Sequence, residues 1–263
     1  MTVTQTSTGQ VRLGRALQLT GLHAKYGLIE TLRIPMAVIG TAVFPALALL
    51  FFVVPQPTVA NNPVYATQAV IGLAIFAAMA NALFGFGLSI AEAREKPWDP
   101  YLRTLPAPGI TRIFGLVLSS GLLGMIALIP TIAIGALFTA ATAEPLRIVA
   151  GAVVLTVATL PFMLIGIVIG YLLPFKAAIA VIQILMFGLA FGGGLMLPPV
   201  MFPSWLEVFS RFLPSRSARE VVIWAVTGGE LPWWTWAGLL AWSAVTLALA
   251  LFLFRRDEGR RFR

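Results

Sequence analysis

The chain alternates between long apolar stretches and short charged ones, and this pattern predicts helices that cross a membrane. One crossing takes about 20 apolar residues. Five intervals between charged residues are long enough, and the first is broken by the turn-forming run Pro55–Pro63, so it holds two crossings. We therefore predict an all-α integral membrane fold, a single transmembrane domain over residues 1–263. Its six predicted spans are 34–54, 65–90, 110–138, 148–171, 177–197 and 232–254.

Composition supports the membrane assignment and excludes several kinds of chemistry. The chain is 59% hydrophobic and 11% charged, whereas soluble domains have about 25% charged residues. It has no cysteine and a single histidine, His23, which excludes disulfides, thiol chemistry and a multi-histidine metal site. Its three lysines are followed by Tyr, Pro and Ala, so it has no Gly-Lys-Ser/Thr phosphate loop. We expect no catalytic, cofactor or metal site in this chain, and no enzymatic activity of its own.

The basic residues predict which way the spans point. If the N-terminus is cytoplasmic, fourteen of the eighteen Lys and Arg residues fall on the inner side. The positive-inside rule then places both termini in the cytoplasm, and the net charge of +8 is mainly a topology signal. The basic residues are scattered around apolar spans rather than gathered on one face, so we expect no nucleic-acid partner. The basic C-terminal residues 255–263 are suited to anionic membrane lipid.

The predicted spans contain almost no ionisable groups. Their interiors hold no Asp, Glu, Lys, Arg or His, and Arg112 lies at the edge of the third. Ion pathways and proton relays usually need such groups, which weighs against an ion-coupled carrier or channel. Asn81 and Gln183 are the main strongly polar side chains, and an interhelical hydrogen bond is the simpler interpretation of each. The other interpretation is substrate contact, with Phe84 and Phe187 as aromatic candidates on the same pathway.

Two segments outside the spans stand out. Between the second and third spans, Pro97 and Pro100 favour a short surface helix whose apolar side chains, from Trp98 to Leu105, suit a partner's groove; a solvated loop is the alternative. After the fifth span, the stretch 205–213 is amphipathic and too short to cross, and Glu207 and Arg211 are spaced to pair. Five of the seven tryptophans lie in this segment or at the start of the last span, as in an interfacial aromatic belt; an outer loop with anchoring aromatics is the alternative.

At these segments the chain resembles the permease subunits of ABC-2-type transporters, in the daunorubicin and multidrug-export group. The inner loop is similar through Arg94–Trp98 followed by Leu102–Pro106, and the outer segment through its prolines and Trp205-Leu206. Pro97 departs from the family pattern because glycine is common there, and so does Leu116, which stands where a lysine often follows glycine.

The resemblance implies an exporter-like fold with three special segments. Residues 92–108 would be a cytoplasmic coupling helix, 198–226 short outer re-entrant helices, and 11–33 an amphipathic connecting helix on the inner leaflet. The implied ATPase-coupling residues are Glu92, Arg94, Glu95, Trp98, Asp99, Tyr101, Leu102, Arg103 and Leu105. The implied outer gate consists of Pro198, Pro203, Trp205, Glu207, Arg211 and Pro214.

The resemblance also implies partners and a place in the cell. Two ABC ATPase subunits would bind ATP and Mg and drive export of an amphipathic, drug-like or lipid-like substrate. A second copy of this chain or a homologous permease would complete the pathway, in the cytoplasmic membrane of a prokaryote. The alternatives are an ion-coupled carrier or channel and a non-transporting membrane scaffold.

Overall fold

The protein is helical throughout the parts that the structure describes. The computed structural model describes residues 8–33, 35–95 and 109–260, and no β-strand occurs in these ranges. The helices are α1 (Thr8–Leu32), α2 (Pro35–Ala48), α3 (Pro57–Ala60), α4 (Pro63–Glu95), α5 (Gly109–Phe138), α6 (Pro145–Ala158), α7 (Leu160–Leu172), α8 (Phe175–Gly192), α9 (Ser204–Ser210), α10 (Pro214–Thr227) and α11 (Trp233–Arg260). A π-helical turn, Leu49–Val53, directly continues α2.

Five of these helical stretches are long and apolar enough to cross a membrane, as expected of an integral membrane protein. They are Pro63–Glu95, Leu118–Phe138, Pro145–Leu172, Phe175–Gly192 and Trp233–Asp257. The remaining predicted span, 34–54, corresponds to α2 and its π-helical turn. Its described apolar part, Ala42–Val53, is shorter than the others, so a six-span topology stays a prediction.

The fourth predicted span, 148–171, lies within the spanning stretch Pro145–Leu172. This stretch has a break in helical geometry at Thr159, because Pro161 has no N–H to continue the helix. Two predicted boundaries differ in the structure. The fifth span ends at Gly192 rather than at residue 197, because Gly194 has a φ of +78° and turns the chain away from the helix. At its other end α4 runs without a break to Glu95, so residues 92–95 belong to this helix and not to a separate one.

Helix α4 forms the centre of the bundle. In its most apolar stretch 72% of the residues are buried, against 22% in α5, and α7, α5 and α8 all pack against it. Glycines allow the crossing with α7: a Cβ on Gly166 would lie 3.0 Å from the Leu83 carbonyl oxygen and 3.2 Å from the Gly87 nitrogen. In membrane helices small residues let backbones approach in this way.

The segment after α8 folds back onto the bundle. The Ser215 hydroxyl donates to the Leu189 carbonyl of α8 at 2.7 Å, and the Trp242 indole N–H of α11 donates to the Phe212 carbonyl at 2.8 Å. Helix α10 also packs along α6. The segment therefore lies against the spanning helices and is part of the packed structure.

Candidate functional site

Charged side chains gather at the two opposite ends of the bundle. At one end, which we call the Arg94 end, α4, α7 and α11 finish and α8 begins. At the other, the Arg219 end, α4 and α6 begin and α10 packs between them. The arrangement of charge differs between the two ends.

At the Arg94 end, one guanidinium group joins three helices. Arg94 pairs with Asp257 of α11, with 3.3 Å between Nε and Oδ1, and donates from Nη1 to the Gly170 carbonyl of α7 at 3.0 Å. Its guanidinium carbon also lies 5.9 Å from the centre of the Tyr171 ring, within the range of a cation–π contact. A cation near the last carbonyls of a helix is favourable for its dipole, so Arg94 also stabilises the end of α7.

The next residue fastens a fourth helix. Glu95 accepts a hydrogen bond from the backbone N–H of Phe175, the first residue of α8, at 2.8 Å. An acidic group at a helix N-terminus satisfies an orphan donor and complements the dipole. Arg94 and Glu95 line a cavity of about 260 Å³ together with Ala91 and the Leu172–Pro174 turn. The last turn of α4 is thus attached to α7, α8 and α11.

The predicted coupling residues fall on both sides of a boundary in the structure. Glu92, Arg94 and Glu95 are in the last turns of α4. The others lie outside the described residues: Trp98, Asp99, Tyr101, Leu102, Arg103 and Leu105. The contact of this loop with an ATPase stays a prediction.

At the Arg219 end, two arginines share one carboxylate. The Arg219 side chain is only 6% exposed; it donates from Nη1 to Oε1 of Glu220 at 2.8 Å and from Nη2 to Oε1 of Gln68 at 3.0 Å. Nε of Arg216 lies 3.0 Å from the same Glu220 oxygen. We call these four residues the Arg219 cluster. Helix α10 lies outside the five membrane-spanning stretches.

Burial lowers the pKa of the Arg216 and Arg219 guanidinium groups, while the neighbouring Glu220 carboxylate raises it. Arginine nonetheless stays protonated in proteins. Two positive guanidinium groups and one negative carboxylate therefore leave the cluster with one positive charge in excess.

Some buried donors of this cluster have no acceptor within the described part of the chain. Nη1 of Arg216 and Nε of Arg219 are both buried and without a hydrogen-bond partner there. The sequence alone places Arg216 and Arg219 only among the four basic residues on the predicted outer side, and it does not predict the cluster. The available signal was the Arg-x-x-Arg-Glu sequence from Arg216 to Glu220, which puts charge on one stretch of a helix that packs against apolar neighbours.

A cavity of about 600 Å³ adjoins the Arg219 cluster. It is lined by the start of α4, the loop before α6, the first turn of α6 and the end of α10, and Gln68 belongs both to its wall and to the cluster. Two hydrogen bonds between Thr67 and Thr142 hold the loop against α4, at 3.3 and 3.1 Å. Arg147 also lines the cavity and pairs with Glu144 at 3.5 Å, both side chains being substantially exposed.

The predicted pathway residues are not brought together at either cavity. Asn81 donates from Nδ2 to the Ser120 carbonyl of α5 at 2.8 Å, which confirms an interhelical hydrogen bond there. Gln183 is exposed on α8, and Phe84 packs against the core. Phe187 joins an aromatic cluster, with ring centres 6.2 to 6.5 Å from those of its neighbours Phe44, Phe76 and Phe191. A substrate role for the four predicted residues stays a prediction.

The predicted outer gate residues lie along the segment that folds back. The predicted pairing of Glu207 with Arg211 is confirmed, with 2.7 Å between Oε1 and Nη2. Trp205 is 69% exposed, and Pro214 is buried at the first position of α10. The exposed Pro198 directly precedes a 3₁₀ turn, Pro199–Met201, and the exposed Pro203 directly precedes α9. Their role as a gate is untested.

The fold and the sequence comparisons together define the class of protein. The five long apolar helices indicate a multi-pass membrane protein. Sequence similarity to a curated transport permease supports a transport permease as its class. The chain is 20% identical over 231 residues to the curated protein named "Putative transport permease YvfS" of Bacillus subtilis (strain 168), and the match covers 88% of this chain and 94% of that protein. No family model matches the chain.

Proposed function

We propose that the chain is the membrane subunit of an ATP-driven ABC-2-type exporter that moves an amphipathic, drug-like or lipid-like substrate out of the cytoplasm. Two such subunits, identical or homologous, form the pathway, and two separate ATPase subunits hold ATP and Mg. In this arrangement the Arg94 end is cytoplasmic and the Arg219 end faces outward. The observation that carries the proposal is the attachment of the last turn of α4 to three other helices through Arg94 and Glu95.

This attachment lies where a coupling segment needs it. The loop that resembles a coupling helix begins directly after Glu95. A displacement of that loop pulls on α4, and the contacts of Arg94 and Glu95 pass the displacement to α7, α8 and α11. Because Arg94 is partly exposed and Glu95 is exposed, each contact contributes about 1 kcal/mol or less, and it is their combination that would make the four helix ends move together. Nucleotide binding by the ATPases would thereby shift the population between inward-facing and outward-facing states.

The placement of charge favours this proposal over an ion-coupled carrier or channel. Among the described spanning stretches, the acidic and basic side chains lie in the end turns, such as Glu92, Arg94 and Glu95 in α4 and Asp257 in α11. A proton or cation relay usually has an ionisable group nearer the middle of the membrane. Energy for transport would therefore come from a partner.

The test is whether a soluble ABC ATPase from the same organism co-purifies with this chain. Alanine replacement of residues 98–105 should reduce recovery of the ATPase at least tenfold, because the replaced side chains would provide the docking face. Alanine replacement of the exposed Trp205 and Phe209 is the matched control: it removes aromatic surface elsewhere and should leave recovery unchanged. Undiminished recovery with the 98–105 variant in a folded protein contradicts the proposal.

Reconstituted vesicles separate the alternatives. The exporter requires ATPase and ATP for transport and no ion gradient. Transport by the chain alone, driven by a proton or sodium gradient, would identify a carrier. A stable complex whose ATP turnover never responds to any amphipathic compound, and which moves none, would identify a scaffold.

A further inference from the structure

The Arg219 cluster has more positive than negative charge. Two guanidinium groups face one carboxylate, Glu220, and the Arg219 side chain is only 6% exposed. An uncompensated buried charge costs several kcal/mol even after relaxation. Buried cations in proteins are for this reason usually paired with an anion.

The neighbouring carboxylates are already engaged. Glu207 is held by Arg211 at 2.7 Å, so this pair adds no net charge near Arg216. Glu144 pairs with Arg147 at the adjoining cavity. Nη1 of Arg216 and Nε of Arg219 donate no hydrogen bond to any acceptor among the described residues. An acceptor that carries negative charge would satisfy these donors and offset the excess positive charge together.

The surroundings suit an anion that belongs to an amphiphile. Gln68, which accepts from Arg219, also lines the cavity of about 600 Å³, large enough for a headgroup. Gln68 lies five residues, about 8 Å, from the start of the apolar helix α4. Exposed apolar side chains flank the cavity on both helices, including Val64 (60% exposed) on α4 and Val149 (61% exposed) on α6. A cavity with mixed polar and apolar walls beside such surface accommodates a headgroup and leaves its acyl chain against the helices.

We propose that the Arg219 cluster and the adjoining cavity bind the oxyanion headgroup of a membrane amphiphile, a phosphate or carboxylate attached to an acyl chain. Of the cluster, only Gln68 lines the cavity, so the oxyanion lies beside Gln68 and offsets the excess charge from there. It accepts directly from the buried donors of Arg216 and Arg219 only once Gln68 and the guanidinium groups turn toward it. Guanidinium groups match both kinds of oxyanion through paired N–H donors. The proposal goes beyond ATP-driven export, because binding at this site requires neither the ATPase nor turnover.

The test measures lipid binding to the full-length chain in a neutral detergent by native mass spectrometry. The probes are phosphatidylglycerol, which carries a phosphodiester, oleate, which carries a carboxylate, and monoolein, which is neutral. At least one anionic probe should bind about tenfold or more tightly than monoolein, as expected for charge-assisted hydrogen bonds. The two anionic arms decide whether the headgroup is a phosphate or a carboxylate. Equal affinity for all three probes overturns the proposal.

Charge variants then locate the binding. Arg216→Gln removes the excess charge and should weaken binding of the anionic probe about tenfold, with partial recovery in Arg216→Lys. Glu220→Gln raises the excess positive charge of the cluster and should therefore strengthen binding of the anionic probe. This reversal of sign cannot come from a folding defect. If Arg216→Gln does not fold, Arg216→Lys, which keeps the charge and loses the paired donors, should still bind the anionic probe more weakly than the unchanged chain.

The double variant Glu207→Gln/Arg211→Gln is the matched control. It removes an arginine of the same segment together with its partner Glu207, so the net charge near Arg216 is unchanged and the affinity should stay within about twofold. An equal loss with this double variant, or weaker binding with Glu220→Gln, overturns the proposal. Since no ATPase is present, either result leaves the export mechanism standing, and a failed ATPase co-purification leaves this site standing.

Discussion

The two ends of the bundle use arginine in contrasting ways. Arg94 has a carboxylate of its own, Asp257, at an ion-pair distance of 3.3 Å, and Nη1 donates to a helix-end carbonyl; its side chain is 28% exposed. Nε of Arg94 is itself a buried donor without a hydrogen-bond partner among the described residues, so the contrast lies in the balance of charge and in exposure. Arg219 is 6% exposed and shares a single carboxylate with Arg216. A matched and partly hydrated pair costs little to form and holds helices together. An unmatched buried cluster is costly to maintain, which is the reason to assign it a ligand and not a fastening role.

The largest effect that separates the two ends is expected from Glu220→Gln. This change leaves Arg216 and Arg219 buried without their shared counterion, and breaking a buried ion pair costs about 3–5 kcal/mol. The measurement is the free energy of unfolding in mixed micelles, titrated with a denaturing detergent.

Glu207→Gln is its control, because Glu207 also pairs with an arginine of the same segment, but in an exposed i,i+4 pair. Such pairs contribute less than about 1 kcal/mol. If both variants lose the same free energy of unfolding, losing the Glu220 charge costs no more than losing a charge from an exposed ion pair. The contrast between the two ends would then be wrong.

The second effect concerns the crossing that connects the two ends through α4 and α7. In Gly166→Ala the new Cβ would lie 3.0 Å from the Leu83 carbonyl oxygen and 3.1 Å from that of Ala82. Backbone atoms cannot rotate away, so the helices must separate, at a cost of about 1–3 kcal/mol. The same unfolding titration measures it.

Gly188→Ala on α8 is the matched control, since a Cβ there meets no atom within 4 Å. Replacing a helical glycine by alanine in open space should raise stability by up to about 1 kcal/mol. A neutral Gly166→Ala would show that α4 and α7 are not closely packed, and that motion at the Arg94 end need not be passed along this crossing.

The sequence predicts the apolar helices well because span length and charge are properties of the chain alone. It places the end of α8 five residues too late, because the helix stops at Gly192 where the positive φ of Gly194 turns the chain, a property of local backbone geometry. It recognises Glu207 with Arg211, a pair within one helical turn.

The contacts of the two ends were not predictable in the same way. Asp257 lies far along the chain from Arg94, and Gln68 from Arg219. Such partners depend on which helices pack together. The predictable part of the Arg219 cluster is the density of charge in α10, whereas its burial follows from tertiary packing against α4 and α6.

The third effect tests whether Arg94 fastens helices as a matched pair. A double-mutant cycle of Arg94→Gln and Asp257→Asn isolates their coupling from the other contacts of each residue. We expect a coupling energy of about 1 kcal/mol, because the two side chains are partly exposed, at 28% and 11%. Single variants should cost more, since Arg94→Gln also loses the Gly170 carbonyl bond and the Tyr171 contact. A coupling energy near zero would remove α11 from the group of helices that move with α4.

The smallest loss of stability is expected from Glu95→Gln. The salt dependence of this loss gives the most direct comparison between the two ends of the bundle. Glu95 caps α8 through the Phe175 N–H; glutamine keeps an acceptor oxygen and loses the charge that complements the helix dipole, so we expect a loss of about 0.5 kcal/mol. Because Glu95 is exposed, high ionic strength should abolish the difference. The loss in Glu220→Gln should persist under the same conditions, since buried charges are screened much less. Equal salt sensitivity at both ends would mean that solvent reaches the Arg219 cluster freely, and the excess charge there would then need no bound anion.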